Sequence, residues 1–94
     1  MYLIHRTKYF EKSYSKLKRS GIKEKLILDI EVTIETLKMG DSLEQSYRDH
    51  KLYGDYEGYR ECHIRPDLLL IYQIKEKQLV LVLLDIGSHS YLFG

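Results

Sequence analysis

The chain has 94 residues, 44% hydrophobic and 31% charged, a composition that describes one globular domain and leaves no room for a second core. That apolar share excludes a disordered segment, and the single cysteine, Cys62, excludes an internal disulfide and fits a reducing compartment. The net charge of +1 hides a polarity: Met1 to Lys25 carries eight Lys or Arg against two acids, whereas Leu26 to Ser46 carries five acids against one base. A basic end of this kind attracts RNA or an acidic partner chain.

The N-terminus, Met1 to Arg6, has neither the apolar region nor the small-residue cleavage site of a secretory leader. The longest apolar run, Leu79–Leu84, spans six residues, far short of the roughly 20 needed to cross a bilayer. The expectation is a soluble cytoplasmic protein with no membrane partner.

Taken in chain order, Tyr2 to Arg6 is a short, weakly patterned opening strand. Thr7 can cap a helix whose apolar positions Phe10, Tyr14 and Leu17 recur at helical spacing, and Gly21 stops it. A second helix carries Ile22, Leu26, Ile30, Ile34 and Leu37 on one face, with Gly40 just past its end. Asp41 to Glu57 has neither helical nor strand period, and irregular stretches that long in compact domains are usually functional or disordered. This one sets Tyr47, Tyr53 and Tyr56 beside Arg48, His50 and Lys51, offering stacking and charge to a ligand.

After Gly58 the pattern turns to strands. Tyr59–Arg65 alternates, Pro66-Asp67 suits a turn, Leu68–Ile74 is apolar, Lys75–Lys77 turns again, and Gln78–Ile86 is the last long strand. Its centre is apolar on both faces, so it should lie mid-sheet and be covered on both sides. Short turns require antiparallel pairing. The expected fold is α+β: an N-terminal strand and a two-helix hairpin packed on an antiparallel sheet of about four strands.

Four histidines occur: His5, His50, His63 and His89. Alternation places Glu61, His63 and Arg65 on one face of their strand and Arg60, Cys62 and Ile64 on the other. Asp67 lies at the adjoining turn, and His89 follows the last strand. Imidazoles exchange protons near neutral pH, and RNA carries its own nucleophile, the 2′-hydroxyl. A base, an acid and a positive group at the phosphate suffice to cleave it without metal or cofactor. The rival use of these residues is a zinc site built from His50, Cys62, His63 and His89. No ligand-spacing motif supports it, and Cys62 and His63 alternate to opposite faces.

The segments Asp49–Gly54, Gly58–Tyr72 and Gly87–Phe93 resemble YafQ-type toxins of the RelE/ParE superfamily in order and spacing. The resemblance implies a microbial-ribonuclease-like fold and a type II toxin that cleaves mRNA on the ribosome. It also implies a cognate antitoxin that is small, acidic and DNA-binding, held in a hetero-oligomer. By motif, His50, His63, Asp67 and His89 take the acid–base and site-forming positions, and Glu61 sits where the family has an acid. Proton transfer falls to His50 and His89, without fixing which is base and which acid. His63 would supply site geometry or phosphate contact, and Asp67 imidazole orientation. Lys51, Arg60, Arg65 and Phe93 are the candidate RNA contacts, and His5 has no assigned role. Where many relatives carry Arg two residues before the final-motif glycine, this chain has Asp85, so phosphate charge would fall to Arg60, Arg65 or Lys51, or to the ribosome. A gyrase-targeting toxin of the ParE kind and a non-catalytic antitoxin-binding member of the fold are the alternatives.

Overall fold

Thr7 begins the fold's organisation. In the computed structural model, which describes residues Met1–Gly94, its Oγ1 accepts the Phe10 N–H at 3.1 Å and donates to the Leu84 carbonyl at 2.7 Å. One side chain thus caps helix α1 (Lys8–Arg19) and ties it to the last strand, a role worth about 1 kcal/mol. Gly21, at φ +85°, turns the chain into helix α2 (Glu24–Lys38). Burying Phe10 and Tyr14 of α1 with Ile30, Ile34 and Leu37 of α2 makes the two helices one layer over the sheet.

The sheet is mixed and has five strands, ordered β1 (Leu3–Arg6), β5 (Val80–Gly87), β4 (Leu68–Lys75), β3 (Arg60–Arg65), β2 (His50–Lys51). The α+β class holds, with two additions to the expected sheet. Strand β1 runs parallel to β5, because the helical hairpin carries the chain back across the sheet before β2 begins. Strand β2 is two residues long, too short to leave a period, and lies inside the stretch that looked irregular. The remaining pairs, β2–β3, β3–β4 and β4–β5, are antiparallel. A final one-turn helix, α3 (His89–Phe93), follows β5 directly. A Cβ on Gly87 would fall 2.5 Å from the Tyr91 ring, so only glycine allows that immediate turn. No helix is long and apolar enough to cross a membrane.

The two sheet faces divide the labour. Cys62, Ile64, Leu68, Leu70, Tyr72, Leu81, Leu83 and Ile86 join the helices in the core. Leu69, Ile71 and Val82, of the opposite pleat, are buried too. The last strand lies inside the sheet, between β1 and β4, with Leu81, Leu83 and Ile86 buried under the helices; the other face is covered only in part, since Val82 is buried but Val80 and Leu84 are half-buried and Leu79, before the strand, is exposed.

Candidate functional site

The register of the sheet builds a row across four strands: His50 opposite Glu61, Glu61 opposite Ile71, and Ile71 opposite Asp85. The next row on the same face is His63, Leu69 and Gly87. Glu61 is 3% exposed, a buried carboxylate that needs partners. It finds two: its Oε1 lies 3.5 Å from His50 Nε2 and 3.4 Å from His63 Nε2.

Hydrogen bonds set the roles of the ring nitrogens. His50 Nδ1 is 2.7 Å from the Arg48 carbonyl, which can only accept, so Nδ1 carries a proton and Nε2 is the nitrogen left for exchange. The Arg48 guanidinium can only donate, and its Nη2 sits 3.4 Å from His63 Nδ1, so in neutral His63 the proton lies on Nε2, toward Glu61. His50 is half exposed and His63 mostly buried, so His50 is the more accessible ring.

His89 opens α3, and its backbone N–H donates to Asp67 Oδ1 at 3.0 Å. Asp67 therefore pins the start of α3 to the β3–β4 turn; its hydrogen bond goes to the His89 backbone and not to an imidazole. The His89 ring packs on Phe93 with centroids 5.1 Å apart, and Phe93 meets the edge of Tyr56 at 5.4 Å. Tyr56, whose hydroxyl donates to the Leu92 carbonyl at 3.4 Å, links the β2–β3 segment to α3. Because Gly87 lies in the His63 row, two strand spacings or about 10 Å away, α3 brings His89 to the same end of the sheet as His63.

The expected RNA contacts fall elsewhere. Lys51 and Arg60 face each other in the register that alternates away from the histidines. Arg60 Nε donates to Asp49 Oδ1 at 3.1 Å. A bulge between His63 and Arg65 breaks the alternation expected in β3, and the Arg65 guanidinium reaches Asp29 of α2. That hydrogen bond is the main reason the Asp29 carboxyl is held below the usual carboxylate range. Phe93 is the exception and stands beside His89. His5 is exposed on β1, the strand at the opposite edge of the sheet from His50.

Three neighbours of the site were not legible as such. Asp49 accepts from Arg60 and, through Oδ2, from the Tyr72 hydroxyl at 2.7 Å. Tyr72 is fully buried, and burial together with the bond to Asp49 pushes its phenol above the ordinary value. This clamp holds the residue just before His50 against the core. Arg48 is the second, and Tyr56 the third. The sequence offers Tyr56 and Arg48 only as stacking and charge in the 41–57 stretch, and Asp49 only as the first residue of a resembling segment.

His50, Glu61 and His63 could also hold a cation, since one ligand atom from each lies within 4.8 Å of the others. The zinc set weighed from the sequence does not assemble. Cys62 is buried in the core, where burial, with help from the charges of Asp49 and Glu61, pushes its thiol up and disfavours the thiolate a metal needs.

The profile of a family described as a bacterial toxin of type II toxin–antitoxin systems, YafQ, matches residues 2–94. The mRNA interferase toxin YafQ of Escherichia coli K12 is 44% identical over 48 residues, 51% of this chain and 50% of that protein, so the match spans about half the length of that curated relative. A crystal structure of a metal-bound toxin from Helicobacter pylori superposes with TM-score 0.84 at 40% identity, covering 99% of this chain and all of that one. The DinJ–YafQ complex of E. coli superposes with TM-score 0.84 at 28% identity over the full length of both chains.

Proposed function

The chain belongs to the YafQ family of bacterial type II toxins, and from that premise we propose that it is an mRNA endoribonuclease that cuts translated messages on the ribosome, in the cytoplasm. The observation that carries the chemistry is the His50–Glu61–His63 cluster, with His50 Nδ1 locked on a carbonyl and Nε2 free to exchange a proton.

His50 Nε2 removes the proton of the RNA 2′-hydroxyl, and the imidazolium so formed has Glu61 as its counter-ion. The 2′-oxygen attacks the adjacent phosphorus, the bond from phosphorus to the 5′-oxygen breaks, and His89 delivers a proton to that departing oxygen. The products are a 2′,3′-cyclic phosphate, or its opened 3′-phosphate, and a 5′-hydroxyl. His63 steadies Glu61, and Asp67 positions the backbone that carries His89. Phe93 and Tyr56 offer a base an aromatic wall. Lys51, set off the histidine face, is read as a contact to a neighbouring phosphate of the message, whereas Arg60 and Arg65 are held by Asp49 and Asp29.

The reaction so written needs no metal or cofactor. A cation held by His50, Glu61 and His63 would occupy the nitrogen that must take the proton, so added zinc should slow cleavage and its chelation restore the rate. Stoichiometric metal whose removal abolishes cleavage would overturn this. The partner is a small acidic antitoxin that meets the basic α1 region and forms a hetero-oligomer with the toxin; the basic excess of residues 1–25 supports the acidic contact, and the E. coli DinJ–YafQ toxin–antitoxin complex supports a protein partner of this kind. Single-turnover cleavage of an mRNA on programmed ribosomes, with the product ends identified, tests the whole. A 5′-phosphate on the downstream fragment, or no cleavage at all, would sink it.

A further inference from the structure

We infer that Arg48 is a catalytic residue, its guanidinium binding a non-bridging oxygen of the scissile phosphate; this rests on the ribonuclease reading above. Three arginines stand near the histidine cluster, and the other two are engaged: Arg60 by Asp49 and Arg65 by Asp29. Arg48 is exposed and has no carboxylate ion-pair partner, and the one hydrogen bond of its guanidinium goes to His63 Nδ1, at 3.4 Å. A guanidinium left without a counter-ion at the edge of the histidine cluster is placed to meet an anion, and its planar fork suits phosphate oxygens.

The backbone supports the same assignment. Arg48 lies in the left-handed region at φ 45°, ψ 45°, which residues with a Cβ adopt at a cost and which clusters at functional sites. In that conformation its carbonyl holds His50 Nδ1 while its side chain turns to His63, so one residue addresses both rings. The guanidinium also borders a cavity of about 570 Å³ whose polar lining is Glu44, Ser46, Tyr47, His63 and Arg65, so the one acid there, Glu44, faces two arginines and a histidine. That volume lies within the range of small-ligand sites and leaves space for the strand beside the bond that breaks. At Asp85, in the Glu61 row, a carboxylate would repel the phosphate. Arg48 supplies the missing positive charge from the other side of the row.

Arg48→Gly is the informative variant, because glycine keeps φ 45° without strain and so preserves the carbonyl that orients His50. On programmed ribosomes the single-turnover rate should fall roughly 10²–10³-fold, the scale of losing one oxyanion donor, with little change in half-saturating toxin concentration. Arg48→Lys should recover part of that loss. Sulfur in place of one non-bridging oxygen at the scissile phosphate should slow the wild type with one diastereomer and add little in Arg48→Gly. Absence of cleavage by the wild type would defeat the ribonuclease reading itself. Wild-type cleavage with an Arg48→Gly rate within threefold, or a sulfur effect that persists undiminished in Arg48→Gly, would overturn this inference alone.

Discussion

Strand β3 carries two chemistries on opposite faces of one pleat. Toward the helices, Cys62 and Ile64 sit among Leu70, Ile86 and Tyr72, and every group there serves burial. Toward the other side, Glu61 and His63 gather with His50 into a cluster whose only buried charge is matched by two imidazoles. The difference shows how one strand can serve a core and a candidate site at once. Alternation lets the same hydrogen-bonded strand be core on one side and chemistry on the other, so the rigidity of the core positions the rings. The one place where the two faces communicate is the Asp49–Arg60–Tyr72 clamp, which starts in the core and ends one residue from His50.

If the two faces are separable, substitutions on them should produce opposite signatures. His50→Ala and His89→Ala should each slow ribosome-programmed cleavage by roughly 10²–10⁴-fold, with fold and antitoxin binding retained, although His50→Ala takes one of two partners from buried Glu61 and should lower the melting temperature. The double variant should lose less than the product of the two, because groups acting in one reaction are not additive. Leu70→Ala, on the helix side, should instead cost about 2–5 kcal/mol of stability by denaturant titration, with the folded fraction cutting at the wild-type rate. Near-normal rates in both histidine variants would remove the catalytic assignment and favour a non-catalytic antitoxin-binding role.

The clamp should break this clean separation, and so sharpen it. Tyr72→Phe leaves the Asp49 carboxylate short of one donor, which should cost about 1–3 kcal/mol and loosen the segment before His50. A displacement of that kind should slow the chemical step roughly ten- to a hundredfold while half-saturation moves little. A stability loss with no change in rate would show that the clamp belongs to the core face alone.

A smaller effect is expected at Asp85, where the Glu61 row continues across Ile71. Asp85→Arg should raise the cleavage rate several-fold, on the order of the 1–3 kcal/mol of a charge-assisted hydrogen bond discounted for exposure, and should partly rescue Arg48→Gly. An unchanged rate in both backgrounds would place Asp85 outside the reach of the phosphate.

The smallest signature is on the core side. Of the nine tyrosines, Tyr14 and Tyr72 have phenols pushed above the ordinary value of 10.0, first by burial and then by hydrogen bonds to Glu31 and Asp49. A raised folded-state value favours the protonated form, so this stability is complete below pH 10 and declines as pH rises beyond it. In an absorbance titration two tyrosines should resist ionisation until the chain unfolds. Smooth ionisation of all nine before unfolding would contradict the buried clamp.

The helices and the long strands were legible because burial imposes a period on sequence: Ile30, Ile34 and Leu37 can share a face only as a helix, and Leu81, Val82 and Leu83 can be buried in succession only inside a sheet. The histidines, Glu61 and Asp67 could be nominated from their residue types and from the resemblance of the segments around them. Their assembly belonged to the tertiary structure. Strand β2 has two residues and no period, yet its pairing alone sets His50 opposite Glu61. The bulge at His63–Arg65 sends Arg65 to α2 against the rule of alternation, since a register shift depends on the partner strand and not on the residues that undergo it. Which arginine is free, likewise, is a matter of where carboxylates from distant segments come to rest. Asp49 and Asp29 take Arg60 and Arg65 only once the sheet and α2 have packed, and that packing leaves Arg48 without a carboxylate.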